Sequence, residues 1–242
     1  MSVALLIAYR NRENHLKTLI NWGSELGYFE SPDFEFILVE QSNSPSCQNT
    51  CLEYGIKYHH VCDDGIFHKS RLLNIGLNLS NAEFITPFDI DLVPIKDSLK
   101  MHLAIASKYK DSLFMGYRMM YPEDYIDRDS IFDIDLSICK VAPEDKETAV
   151  FKQLVDQEKF GVVPFFRKET LLSVKAWDEA YIGWGAEDQD LIERYTKNCY
   201  FLRSPKLIYI HLNHSDDLMW KEDNHIEKNR KYYYKKRKAY EL

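Results

Sequence analysis

Long apolar runs are missing from this 242-residue chain, and none approaches the length that spans a bilayer. A membrane could therefore be met only at its surface. Cysteine is sparse: Cys47, Cys51, Cys62, Cys139 and Cys199 give an odd count of five with no CxxC pair. Cys47 and Cys51 stand four apart, but no second Cys/His pair follows at zinc-finger spacing. That argues against a disulfide framework and a zinc ribbon, and predicts five reduced thiols in a cytoplasmic protein. The opening MSVALLIAYRNR has no basic leader before its apolar run and no cleavage site after it, so it reads as a buried strand rather than a signal peptide. An excess of positive charge is also lacking. The formal net charge is −7, which disfavours a nucleic-acid partner. Internal repeats and low-complexity segments are absent. What remains is ordinary for a globular protein, with 45% hydrophobic and 29% charged residues. The length suits one large α/β domain or two small ones, with a core that needs no disulfide or structural metal.

Short apolar runs alternate with helical spacing. Strands are predicted at 3–8, 34–39, 56–61 and 84–88, and helices at 13–26, 68–79 and 96–109. Strands this short and this continuously apolar predict a mostly parallel sheet covered by helices, an α/β fold. Ligands bind such sheets beyond the carboxyl ends of the strands. Polar motifs stand at those ends: Arg10-Asn11-Arg12, Glu40-Gln41 and Asp89-Ile90-Asp91. Further along, strands are expected at 162–166 and 207–211 and helices at 169–174 and 191–195. The acidic stretch 121–158 lacks periodicity, and 124–146 reads as a long loop of the kind that often carries function.

In Asp89-Ile90-Asp91, two acids flank an apolar residue that can point to the core, and hard oxygen ligands suit Mg²⁺ or Mn²⁺. His211-Leu212-Asn213-His214 adds two imidazoles past the last strand. Imidazole tolerates Mn²⁺ better than Mg²⁺, so Mn²⁺ is the expected ion and Mg²⁺ the alternative. Either motif alone is weak, since acidic loops and surface histidines are common. Arg10 and Arg12 offer guanidinium forks that match phosphate or clamp nearby acids. Lys69 and Arg71 open the helix after the third strand, where cations meet a diphosphate or merely cover a solvated face. Gly183-Trp184-Gly185 sets two permissive positions around an aromatic that can stack on a sugar or pack in the core. Glu187, Asp188 and Asp190 crowd a helix start, where the macrodipole favours acids. A carboxylate beside a stacking aromatic suits a general base for a sugar hydroxyl.

Taken in order, the motifs resemble the β-1,4-galactosyltransferase family. They are Tyr9-Arg10-Asn11-Arg12, the helix from Phe67 to Gly76, Asp89-Ile90-Asp91-Leu92-Val93-Pro94, the 182–190 segment IGWGAEDQD, and His211 to His214. The ordered set spans roughly residues 7–217. The resemblance implies a GT-A fold, a Rossmann-like single domain with a mostly parallel central sheet. It implies a nucleotide-binding part at about 1–95 and an acceptor-binding part at about 96–220, followed by a basic aromatic tail at 221–242. It further implies Asp91, His211 and His214 as metal ligands. Arg10, Arg12, Gln41, Phe67, Lys69, Asp89, Ile90 and Trp184 would serve the UDP-sugar donor. Trp184, Gly185, Glu187 and Asp188 would serve the acceptor, with Asp188 as catalytic base. The departures are Ile182 for the first Trp of the family's WGWG, Ala186 for its last glycine and Gln189 for its middle acid.

The implied reaction is inverting transfer of a hexose or N-acetylhexosamine, galactose or GalNAc first, to a saccharide or lipid-linked saccharide in surface glycan synthesis. The segment around Trp184 is a candidate lid and 121–158 a candidate acceptor segment. The cluster KNRKYYYKKRK at 228–238 could bind an anionic bilayer at its inner face, or be a solvated helical tail. Two other classes compete. A metal-dependent nucleotidyltransferase needs a Gly-rich nucleotide loop, which residues 9–12 are not. A non-catalytic sugar binder would keep Trp184 without needing Asp188.

Overall fold

The computed structural model describes residues 1–141, 159, 162–214 and 225–240. Its centre is a five-stranded sheet in the order β3-β2-β1-β4-β8. The strands are β1 (Val3–Tyr9), β2 (Phe34–Ser42), β3 (Lys57–Cys62), β4 (Phe84–Pro87) and β8 (Phe166–Arg167). The first four run parallel and β8 is antiparallel to β4. Along β1 the side chains alternate between two cores, as a period of two requires. Val3, Leu5, Ile7 and Tyr9 join the cluster that holds Leu16, Leu19 and Trp22 of α1 (Glu13–Glu25). Ala4 and Leu6 join the cluster under α3 (Lys69–Leu79), which also contains Leu72, Leu73 and Leu77. A helix covering each face explains why β1 is apolar throughout rather than alternating.

The predicted elements up to residue 109 are all found, with no end shifted by more than three residues, including α4 at Ser98–Lys108. The short helix α2 (Gln48–Glu53) was not anticipated. A second sheet was not anticipated either. Its order is β5-β9-β6-β7, formed by β5 (Leu92–Pro94), β9 (Tyr200–His211), β6 (Ser112–Met120) and β7 (Lys140–Val141). Strand β9 is twelve residues long, against the five expected. Strand β6 shifts register between Met115 and Tyr117. Gly116 sits in that irregularity because a Cβ there would lie 2.5 Å from Tyr209 Cε2 and 2.9 Å from the Leu207 carbonyl oxygen.

Within 162–166, Val162 makes only an isolated bridge to Gly116, and the strand itself starts at Phe166. Helix α5 (Lys168–Ser173) follows at once, and α6 (Glu187–Tyr195) begins at the acids read as a helix start. The described part of the 124–146 loop forms two short 3₁₀ turns, Arg128–Ser130 and Leu136–Ile138, before β7. It is stitched to α1 by the Ile126 N–H donating to Thr18 Oγ1 at 3.0 Å and by an Arg128–Glu25 ion pair. Residues 142–158 of the acidic stretch lie outside the described residues. The basic cluster belongs to a sixteen-residue helix, α7 (His225–Tyr240). All five cysteines are free thiols.

Candidate active site

Strand pairing explains how two motifs far apart in sequence meet. Strand β5 begins right after Asp91 and pairs antiparallel with the end of β9, with Leu92 opposite His211. The Leu212 N–H donates to the Asp91 carbonyl at 2.8 Å, which locks the register. Asp91, His211 and His214 consequently converge, with one ligand atom from each lying within 4.8 Å of the others. His214 Nε2 is 3.4 Å from Asp91 Oδ2, and His211 Nε2 is 3.7 Å from Asp91 Oδ1. Asp91 is 8% exposed, and its Oδ1 is buried without a hydrogen-bond partner. An orphaned carboxylate oxygen facing two imidazoles is costly unless a cation completes it. His211 Nδ1 lies 2.9 Å from the Leu212 carbonyl, which can only accept, so Nδ1 carries the proton and Nε2 keeps its lone pair toward Asp91. Burial lowers the His211 pKa, which favours that neutral form, although Asp91 opposes the shift. The three residues therefore fit a divalent cation of the Mn²⁺ class.

His214 is set differently. Arg12 Nη2 lies 3.4 Å from His214 Nδ1, and a guanidinium only donates. In neutral His214 the proton then sits on Nε2, toward Asp91. Ligation through Nε2 needs the other tautomer, so Arg12 must release Nδ1 when a cation enters.

A second cluster forms around Lys69, the first residue of α3. Its ammonium is 2.9 Å from Asp89 Oδ1, 3.7 Å from Asp188 Oδ2 and 3.9 Å from Glu187 Oε1. Burial works against the ammonium, but Asp188, Asp89 and Glu187 hold its pKa well above the usual lysine value. Burial would raise Asp89, yet the Lys69 charge and hydrogen bond outweigh it and hold that carboxyl low. Glu187 is 4% exposed, and burial together with the Asp188 charge pushes its pKa up to about 7 against the pull of Lys69. Burial also raises Asp188, with Lys69 opposing. Asp89 and Asp188 keep 49% and 39% of their side chains open to the cleft even though protein surrounds them closely. These acids line a cavity of about 300 Å³ with Lys69, Arg118, Trp184 and Gln189. A wider groove of about 740 Å³, bounded by Arg12, His15 and Asp124, reaches the triad at His214.

The segment 182–190 turns sharply into α6. Gly183, Gly185 and Ala186 have φ of 75°, 110° and 69°, so the turn uses left-handed backbone three times. Ala186 adopts that conformation without glycine's freedom. Gly185 N–H donates to Glu187 Oε2 at 2.9 Å, which folds the Glu187 side chain back over the turn before the helix. Trp184 is 48% exposed and lines the cavity. Asp190 is 2% exposed and spent on structure, paired with Arg194 and Lys236, each at 2.9 Å. Arg71 pairs loosely with Asp63 at 3.9 Å, outside the Lys69 cluster.

The residues assigned to the nucleotide divide by position. Gln41 is buried, and its amide is engaged by Asp63 Oδ2, the Ile66 carbonyl and the His68 N–H, so it shapes the 63–68 loop. Arg10 donates to the carbonyls of Gln41, Gly65 and Asp63 and lies 5.6 Å above the Phe67 ring, bracing the same loop. Ile90 is buried in the core, as its place between two acids predicts, so only its backbone is available to a donor.

Sequence reading missed Arg118, which projects from the unrecognised β6, and the contribution of α7. Ile226, Arg230 and Tyr233 of that helix line the cavity. Arg230 and Tyr233 stand inside the basic aromatic cluster, which was read as facing outward or as solvated. Tyr233 is in fact buried and donates to Glu193 at 2.6 Å, and Lys236 pairs with Asp178 at 2.7 Å.

Fold and site together define a class. The profile described as Glycosyltransferase like family 2 matches residues 4–237, and the chain belongs to that family. Among curated proteins, mouse beta-1,4-galactosyltransferase 4 is 25% identical over 215 residues, 84% of this chain and 45% of that protein. Human beta-1,4-galactosyltransferase 1 is 27% identical over 203 residues, 79% of this chain and 36% of that protein. The chain thus spans less than half the length of either relative. Among solved structures, S. aureus TarS 1-349 in complex with UDP-GlcNAc superposes with a TM-score of 0.64 at 15% identity, covering 90% of this chain and 60% of that one. S. aureus TarS 1-349 alone gives 0.62 at 17% identity over 88% and 60%. The expected GT-A fold is therefore the fold observed. No helix among the described residues is long and apolar enough to cross a membrane.

Proposed function

We propose that the chain is an inverting glycosyltransferase that moves a hexose or N-acetylhexosamine from a UDP-sugar to a saccharide acceptor, forming a β-glycosidic bond. Galactose and GalNAc are the favoured donors. The observation that carries the reading is the Lys69 cluster. One ammonium touches Asp89, Glu187 and Asp188, so the acids beside the metal triad and those of the 182–190 segment share one cavity. The names of the relatives point the same way, and a solved structure of similar fold was obtained with UDP-GlcNAc.

Asp188 accepts the proton of the acceptor hydroxyl. Burial makes its carboxylate more basic than a surface aspartate, which improves a general base working near neutral pH. Glu187 holds a sugar hydroxyl from beneath, and Trp184 offers its exposed ring to the sugar's apolar face. Lys69 faces the donor diphosphate once that anion competes with the three carboxylates, and Arg12 contributes a second cation. Asp91, His211 and His214 would hold Mn²⁺, or Mg²⁺ in its place, which would offset charge developing on the leaving nucleotide. Arg10, Gln41 and Phe67 keep the 63–68 loop in the shape that receives the nucleotide.

The acceptor is a saccharide or lipid-linked saccharide of a surface glycan, handled in the cytoplasm at the inner membrane face. Lys228, Lys231, Lys235 and Lys238 recur three and four residues apart along α7, and all are exposed. Such a stripe suits an anionic bilayer. The decisive experiment is UDP release and product mass from UDP-galactose, UDP-GalNAc and UDP-GlcNAc with Mn²⁺ and a panel of saccharides. Transfer by the wild type and a loss of at least 100-fold in Asp188→Asn are expected. Undiminished turnover in Asp188→Asn would remove the base assignment.

A further inference from the structure

The Gly-Trp-Gly segment leaves backbone carbonyls that no helix or strand can satisfy, because its left-handed turns point them away from regular partners. Two of them, on Ile182 and Trp184, flank Gly183. Both accept from one side chain: Asn229 Nδ2 donates to the Ile182 carbonyl at 2.9 Å and to the Trp184 carbonyl at 3.2 Å. Asn229 is 4% exposed, and a carboxamide has two N–H donors, one for each carbonyl.

The helix that carries Asn229 is fixed on both sides of the segment by other contacts. Lys236 and Tyr232 hold Asp178, which precedes it. Lys236 also holds Asp190, and Tyr233 and Arg237 hold Glu193, all of which follow it. The approach is close. A Cβ on Gly183 would lie 3.3 Å from His225 Cβ, and one on Gly185 would lie 3.7 Å from Ile226 Cγ2. Helix α7 is thus a splint across the segment, and Asn229 is its polar contact with the backbone on either side of Gly183.

We infer that Asn229 is a positioning residue of this enzyme: it sets the place of the Trp184 ring over the cavity and, through Gly185 and Glu187, the approach of the acceptor to Asp188. The kinetic part of this inference rests on the transferase reading above, while the positional part does not. It also gives α7 a role that a solvated basic tail would not have.

The test uses the whole chain with 5-fluorotryptophan incorporated at its four tryptophans. The Trp184 ¹⁹F resonance is assigned from Trp184→Phe. Asn229→Ala removes both donors. Asn229→Asp keeps the shape and sets a carboxylate against the two carbonyls. Lys236→Met loosens the helix anchorage at Asp178 and Asp190 and leaves the Asn229 contacts with the Ile182 and Trp184 carbonyls in place. In both Asn229 variants the Trp184 resonance should shift or broaden, and kcat/KM for the acceptor should fall about tenfold with KM for the donor changing less than twofold. In Lys236→Met the melting temperature should fall while the resonance and that kinetic split stay as in the wild type. An unmoved Trp184 resonance in the Asn229 variants overturns the inference. So does a Lys236→Met variant that reproduces their resonance and kinetics. A wild type that transfers no sugar would sink the transferase reading alone, since the resonance is read without substrate.

Discussion

Lys69→Met removes the cation from among three carboxylates while keeping most of the side-chain volume. The distances are 2.9 Å to Asp89, 3.7 Å to Asp188 and 3.9 Å to Glu187. At an effective dielectric of about 20, unit charges about 4 Å apart attract by about 4 kcal/mol. Burying the ammonium consumes much of that gain. Asp89 and Asp188 are 49% and 39% exposed, so water screens their share further. The Glu187 arm is the least screened, at 4% exposure. The expected net loss of stability is about 3 kcal/mol at pH 8, the low end for removing one partner of a buried pair.

The pH dependence gives the prediction its edge. Glu187 sits up to about 7, against an ordinary 4.5, and Asp188 is raised as well, with Lys69 opposing both shifts. Without Lys69 both carboxyls rise further. A carboxyl whose folded pKa lies above its unfolded one costs nothing below the unfolded value, and the cost accrues as pH climbs toward the folded one. The deficit contributed by Glu187 should therefore fade toward pH 5 and grow as pH climbs past 7, and Asp188, raised with Lys69 opposing, adds to it. The Asp89 arm behaves oppositely. Lys69 depresses that group, so its contribution persists above 3.8 and remains at pH 5. Urea midpoints of wild type, Lys69→Met and Lys69→Arg at pH 5 and pH 8 measure this. A deficit in Lys69→Met of equal size at both pH values would refute the reasoning, because it would mean that Glu187 does not feel the lysine.

Arg12→Ala should bind Mn²⁺ several-fold more tightly by titration with electron-paramagnetic detection, since His214 Nδ1 is freed from its guanidinium donor; weaker binding would reverse the tautomer argument. His102 is fully buried between Tyr209 and the Phe114 carbonyl, and burial lowers its pKa from 6.5 to about 4. The unfolded chain takes the proton first, so stability present above pH 6.5 is lost as pH falls toward 4, by about 3 kcal/mol from this residue. His102→Gln should unfold in urea with a visibly flatter pH dependence over that window. Replacing Lys228, Lys235 and Lys238 by Ser should reduce co-sedimentation with phosphatidylserine vesicles about 100-fold at low salt, at about 1 kcal/mol per lysine; retained binding would assign the stripe to solvent.

The central sheet was legible because burial on both faces writes itself as continuous apolar runs, and Val3–Tyr9 could pack in no other way. The second sheet was not. Strand β5 is three residues long, too short for any periodicity, and β9 carries Arg203, Ser204, Pro205 and Lys206 in succession, none of them buried. Strand β6 ends in half-buried positions that include Arg118, the cavity cation no motif announced. The Asp91, His211 and His214 cluster was readable as two motifs, yet only the pairing of Leu92 with His211 explains their meeting.

Helix α7 shows why residue chemistry can be read earlier than its placement. A helix docked by hydrophobic contact reveals its inner face as an apolar stripe. The inner face of α7 instead carries Asn229, Tyr233 and Lys236, which satisfy carbonyls and carboxylates of the segment it covers. Its outer face carries lysines, so both faces look polar in sequence and the helix reads as solvated. The same holds for Lys69, whose partners come from the end of β4 and the start of α6. In both places the cation or amide was visible in the sequence and its acceptors were too. What remained hidden was the pairing, because polar complementarity has no period along the chain and appears only when the strands and helices bring donor and acceptor together.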